Sequence, residues 1–138
     1  MVTYLLDTNM WIEILRGNER VVDRFGALPT EQIVLSPIVL GELHVGALKS
    51  RRSKEALAQV TAIANTFTHT MIDADTAVRY AKIRSTLEAA GTPIGANDLW
   101  IAADALTHRY TLVTHNTREF ERIPALKLKG LARTLASR

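Results

Sequence analysis

Short apolar runs alternate with longer stretches of helical periodicity along this chain, and that alternation restricts its fold more than any other feature. Val2 to Leu6, Ile33-Val34-Leu35, Thr70-Met71-Ile72 and Thr111-Leu112-Val113-Thr114 read as strands, with Leu126-Lys127-Leu128 as a further edge strand. Between them lie helical patterns. Thr8 to Arg16 carries Trp11, Ile12 and Leu15 on one face, and Val21, Val22, Phe25 and Leu28 form a second short helix that ends near Pro29. Ser36-Pro37 reads as an N-cap with proline at the first helical position, where its missing N–H is not needed. Arg51 to Thr66 forms another helix. Asp73 starts one that buries Ala77, Tyr80, Ile83 and Leu87 and stops at Gly91, and Asn97 caps the last, through Leu99, Ala102, Ala103 and Leu106. Strands joined by helices run parallel, and a parallel sheet needs cover on both faces. The expected fold class is therefore α/β, a three-layer α/β/α sandwich on a mainly parallel central sheet.

Three acids fall where this architecture makes them expensive. Asp7 closes the first strand, Glu42 lies inside Ile38-Val39-Leu40-Gly41-Glu42-Leu43, and Asp98 opens Asp98-Leu99-Trp100-Ile101-Ala102-Ala103. A carboxylate taken out of water costs several kcal/mol, roughly, unless a positive group meets it. In open parallel sheets the functional crevice lies beyond the carboxyl ends of the strands, where Asp7 and Thr114-His115-Asn116 fall. Glu42 reaches it from a helix stripe shared with Ile38 and Val45, and Asp98 from the positive end of its helix. Three acids from three elements around one point form an oxygen-rich site suited to Mg²⁺ or Mn²⁺.

Composition narrows the alternatives. With 138 residues, 47% hydrophobic and 22% charged, the chain is expected to form one domain over residues 1–138. It has no cysteine, which excludes disulfides, thiolate metal sites and a cysteine nucleophile. No apolar run approaches the ~20 residues of a membrane span, and the start meets an acid at Asp7 with no basic leader, so a cytoplasmic location is expected. The net charge of +3 suits a polyanionic partner. Its densest basic run, Lys49-Ser50-Arg51-Arg52-Ser53-Lys54, reads as a solvated helix-end loop before it reads as a grip on the phosphates of such a partner. Trp11 and Trp100 read as core or dimer-contact residues. Each acid also has a plainer role: Asp7 as a helix cap, Asp98 as a dipole partner, Glu42 as a partner for Lys49, Asp73 and Asp75 as caps. Asp104 lies roughly 240° around its helix from Asp98 and is expected to be solvated. Of the four histidines only His115 stands beside the crevice.

Four motifs in order carry a family resemblance: Leu5-Leu6-Asp7-Thr8-Asn9; Gly41-Glu42-Leu43 with Gly46; Asn97-Asp98-Leu99-Trp100-Ile101-Ala102-Ala103; and Val113-Thr114-His115-Asn116-Thr117-Arg118-Glu119-Phe120. Together they make the chain resemble the PIN-domain ribonucleases, and among them the VapC-type toxins of bacterial toxin–antitoxin pairs. The resemblance runs almost end to end. It implies a Mg²⁺-dependent endoribonuclease that cleaves RNA, forms a homodimer and is held inactive by a cognate antitoxin in an apolar groove. Asp7, Glu42 and Asp98 match the family's metal-binding acids. Where the family often has a fourth acid this chain has Asn116, an amide that can offer one neutral oxygen, with Glu119 three residues on.

The chemistry expected of such a site assigns Asp7 as the central ligand and Glu42 as a water-mediated ligand or general base. Thr8, Asn9 and Thr114 are expected to orient Asp7 by hydrogen bonds. Two other readings compete. A phosphatase of the haloacid-dehalogenase type would want a second aspartate where Asn9 stands. A degenerate PIN-like module that binds RNA or protein without cutting it would explain Asn116, but leaves three clustered acids without a purpose.

Overall fold

Leu5 and Leu6, both without solvent contact, belong to the middle strand of a five-stranded sheet in the computed structural model, which describes residues 2–130. That strand, β1 (Tyr4–Leu6), pairs with β2 (Ile33–Leu35) on one side and β4 (Thr111–Val113) on the other. β3 (Thr68–His69) lies outside β2, and β5 (Leu128–Lys129) outside β4. The order is β3-β2-β1-β4-β5, with every pairing parallel. Tyr4 stands opposite Ile33 and Thr111, so the ends of β1, β2 and β4 are nearly level.

The helices are α1 (Thr8–Leu15), α2 (Glu19–Gly26), α3 (Pro37–Lys49), α4 (Ser53–Thr66), α5 (Ala74–Ala89), α6 (Ala96–His108) and the single turn α7 (Thr117–Phe120). Right-handed crossovers place α1 to α4 on one face and α5 and α6 on the other, in keeping with the contacts of α3 with α4 and of α5 with α6. The chain steps outward from β1 to β3, then crosses back to β4. The strand order therefore reverses between β1 and β4, the switch point where open α/β sheets hold ligands.

Local chemistry explains the helix ends. Asp7, Asn18, Ser36 and Asp73 cap α1, α2, α3 and α5 by accepting first-turn backbone N–H groups, and Pro37 occupies the first position of α3. Gly91 follows α5 with φ 74°, and the Thr92 N–H returns to the Leu87 carbonyl at 2.9 Å, a left-handed stop that glycine makes without a Cβ clash.

Several expectations are corrected. The third strand is Thr68–His69 rather than Thr70–Ile72: the Thr70 side chain turns to Asp104, and Met71 is 70% exposed. Gly95, not Asn97, is the N-cap of α6; it offers no side-chain cap, and Asn97 sits exposed in the first turn. α4 begins at Ser53, after Arg51 and Arg52. α5 buries Thr76, Ile83 and Leu87, while Ala77 faces solvent. The edge strand begins at Leu128, two residues later than the pattern places it, and ends at Lys129. On α3 the core stripe is Val39, Leu43 and Ala47, so Val45 is half exposed and Glu42 stands beside the stripe rather than in it.

Candidate active site

Asp7 follows β1 directly, and the surrounding chain holds it in place. Its backbone N–H donates to the Val113 carbonyl at 3.1 Å, which ties the end of β1 to the end of β4. One side-chain oxygen, Oδ1, accepts from the Met10 N–H at 3.0 Å and caps α1. The other, Oδ2, accepts from the Thr114 hydroxyl at 2.5 Å, and Thr114 is itself anchored by the Asn116 N–H at 2.9 Å. The capping role and the orienting role of Thr114 thus coexist in one residue. Burial pushes the Asp7 carboxyl above its ordinary value, against the two hydrogen bonds and the nearby His115, while the charge of Glu42 adds to the rise.

Glu42 comes from the second turn of α3 and is half-buried. Its Oε1 accepts from the Thr8 hydroxyl at 2.5 Å, so Thr8 orients Glu42 rather than Asp7, and Lys49 is not its partner. Asn9 is exposed on α1 and does not bond Asp7. Asp98, in the first turn of α6, is half-buried and its carboxyl is pushed up to about 6. Burial is the largest cause, followed by the negative charges of Glu119, Asp7 and Glu42. Repulsion from these three charges needs proximity. The fold has therefore brought together acids from positions 7, 42, 98 and 119. Asn116 spends its amide on this group, its Nδ2 donating to Glu119 Oε2 at 2.5 Å.

None of these four acids belongs to any ion pair among the described residues. Nor do any three acid or imidazole side chains among them converge tightly enough to hold a metal ion as they stand. A hard cation such as Mg²⁺ keeps several waters and takes one or two carboxylates plus substrate phosphate oxygens, so an uncompensated but loose set of oxygen donors fits it.

Asp104 overturns the expectation of a solvated residue. It has no exposed surface, and its carboxylate accepts from the Thr70 hydroxyl and meets His108 Nδ1 at 2.8 Å, while His108 Nε2 faces Asp73 at 3.4 Å. This network lies apart from the four acids; it ties α6 to the end of β3 and the start of α5. Trp11 is buried edge-on against Phe67, and Trp100 stacks on Tyr80 with ring centroids 3.9 Å apart. Of the run Lys49 to Lys54, Lys49 ends α3, Ser50 to Arg52 form the connection and Ser53-Lys54 open α4, so only its middle is a loop; Arg52 pairs with Glu55 at 3.8 Å. Beside Glu42, Ile12, Leu15, Leu43, Ala47 and Val60 line an apolar cavity of about 300 Å³ between α1, α3 and α4. Among the described residues no helix is long and apolar enough to cross a membrane.

Known proteins place this arrangement. The PIN domain family model matches residues 4–126. Ribonuclease VapC1 of Haemophilus influenzae (strain R2866) is 33% identical over 126 residues, covering 90% of this chain and 94% of that protein. The tRNA(fMet)-specific endonuclease VapC of Salmonella typhimurium is 35% identical over 130 residues, covering 94% and 98%. The structure of DNA-bound VapBC from Salmonella typhimurium superposes with a TM-score of 0.86 at 35% identity, covering 95% of this chain and 99% of that one. With four acids gathered at the switch point of an all-parallel sheet and this similarity over nearly its whole length, the chain belongs to the PIN-domain family, among its VapC ribonucleases.

Proposed function

We propose that this chain, acting as one unit over residues 1–138, is a Mg²⁺-dependent endoribonuclease toxin, with Mn²⁺ able to substitute. Asp7, Glu42 and Asp98 hold the metal, and Glu119 supplies the fourth charge in place of Asn116. The observation that carries this reading is the set of four acids outside any ion pair among the described residues; burial first, and then the charges of the other three, raise the Asp98 carboxyl to about 6. Clustered carboxylates without a counter-charge are a cost to the fold that a divalent cation removes.

When bound, such an ion activates water and neutralises charge on the phosphodiester. The residues divide the remaining work. Asp7, locked between Met10 and Thr114, fixes the centre of the site. Glu42, on the longer side chain and steadied by Thr8, is placed to accept the proton of the attacking water. Asn116 and Thr114 keep Glu119 and Asp7 in register at the end of β4.

The apolar cavity beside Glu42 fits one face of an amphipathic helix, and there we place the cognate antitoxin; the similarity to a VapBC structure of Salmonella typhimurium supports such a partner. Exposed Met71 and Val78 on and before α5 give a second copy of the chain an apolar surface for a homodimer. The protein is expected in the cytoplasm, where RNA is available to it.

The test is an RNA cleavage assay with the purified chain, using initiator tRNA first because the Salmonella relative is named for it. Cleavage is expected with Mg²⁺, and none in EDTA or with Asp7→Asn. Undiminished cutting by Asp7→Asn, or in EDTA, would refute the mechanism.

A further inference from the structure

Two adjoining cavities lie away from the four acids. One, of about 280 Å³, is bordered by Arg109, Tyr110 and Lys127; the other, of about 150 Å³, by Arg79, Lys82 and Thr86. Leu106 lines both, and Ile123-Pro124-Ala125 passes from the wall of one to the wall of the other. They therefore form one groove between α5, α6 and the segment 121–127. That segment leaves α7, which carries Glu119, and ends at Lys127 just before β5. The groove's Arg109-Tyr110 and Ala125 to Lys127 walls precede β4 and β5, at the end of the sheet opposite the carboxylates, and its Ile123-Pro124 wall follows α7.

Its charge is one-sided. Arg79, Lys82, Arg109 and Lys127 line it, no acid does among the described residues, and none of the four cations belongs to an ion pair among them. Cations gathered without counter-charge are the footprint of a polyanion. The backbone adds a separate observation. Arg109 (φ 62°) and Ala125 (φ 68°) are the described non-glycine residues with positive φ, and both line the larger cavity. Arg109 ends α6 in a left-handed conformation where glycine would fit without strain. The strained backbone sets the Arg109 side chain at the wall of the larger cavity.

We propose that this groove binds the phosphate backbone of the RNA substrate and carries the strand away from the metal-binding acids, an inference that rests on the ribonuclease reading above. The cations meet phosphates, and the apolar floor of Leu106, Ile83 and Ile123 accommodates sugars and base faces. Repeated charge along a groove matches a nucleic acid better than a compact acidic ligand.

The test uses the full chain with Lys82→Ala, Arg109→Gly and Lys127→Ala combined. Arg109→Gly relieves backbone strain, and the other two positions are exposed, so an unchanged melting temperature is the check on folding. Binding of a long single-stranded RNA is measured by fluorescence anisotropy in EDTA over a range of salt. Each cation removed is expected to lower the salt slope by about 0.7, so the triple variant should lose about twentyfold less affinity than the native chain between roughly 50 and 200 mM salt. Cleavage of a short oligonucleotide confined to the acidic site should keep its rate. A control, Lys49→Ala with Arg51→Ala and Lys54→Ala, removes the same charge elsewhere and should bind long RNA more nearly as the native chain does. Equal slopes in the native and triple variants, or an equal loss in the control, would overturn the proposal. RNA binding unchanged while antitoxin binding weakens would also overturn it and assign the groove to the protein partner. If the native chain cuts no RNA, the ribonuclease mechanism fails on its own, since the anisotropy in EDTA reads the groove without catalysis.

Discussion

At Asp98 three like charges and partial burial act on one carboxyl, and the consequence for pH can be worked out. Its folded value, near 6, lies above the ordinary 3.8. Between those values the folded chain binds more protons than the unfolded one, so stability falls as pH rises through that window. In EDTA the melting temperature should therefore increase as pH is lowered from 7 towards 5. Asp98→Asn should flatten that rise, and an equally steep profile in the variant would show that another group carries it. Thr114→Val addresses the same site from the neighbouring strand. It removes the hydroxyl that holds Asp7 Oδ2 and receives the Asn116 N–H, and should lower cleavage by about 10- to 100-fold, with Thr114→Ser restoring most of it. The acids at 7, 42 and 98 were legible in the sequence because each interrupts an apolar segment. The work of Asn116 was not: that its amide holds Glu119 depends on where the turn after β4 points, and no periodicity reports that.

Among the elements, α6 shows where sequence reasoning stops. Helix geometry gives the angle between Asp98 and Asp104, but not how much of the helix circumference is covered. Residues 101–105 are all buried, because the sheet covers one side of α6 and α5 packs against another. Asp104 is thus inside, raised by burial against its hydrogen bonds to Thr70 and His108. The same network explains the early end of β3, since Thr70 gives its side chain to α6. Caps such as Ser36 and Asp73 were legible because their chemistry is local to a few residues; the Thr70 contact spans 34 positions and was not. Asp104→Ala leaves the Thr70 hydroxyl and His108 without their partner, and should cost about 2 kcal/mol of stability. For a chain of this size that is roughly 5 to 10 °C in melting temperature, measurable by circular dichroism. Burial alone would lower the His108 imidazole, but its bonds to Asp104 and Asp73 outweigh this and raise it, so its contribution is full below the ordinary 6.5 and is lost as pH rises through the folded value.

On the scale of the whole molecule, the parallel sheet sets four acids apart from four cations: Asp7, Glu42, Asp98 and Glu119 collect at the switch point beyond β1 and β4, while Arg79, Lys82, Arg109 and Lys127 line a groove between α5, α6 and the segment before β5. The acidic end carries charge that a bound cation would offset. An ion that binds only the folded chain stabilises it by mass action, about 2.7 kcal/mol at a concentration one hundred times its dissociation constant. Mg²⁺ should therefore raise the melting temperature by roughly 10 °C at that excess. Simple salt at equal ionic strength separates this from screening, because screening acts on every exposed charge and has no saturation point. Glu42→Ala removes one of the acids and its bond to Thr8, so its melting curve should shift less with Mg²⁺ and saturate at higher concentration. If the native chain and Glu42→Ala respond identically, Glu42 lies outside the metal site and its role reduces to holding Thr8. If neither responds beyond the salt control, the four acids do not bind Mg²⁺ without RNA, and the ion must enter together with the substrate phosphate.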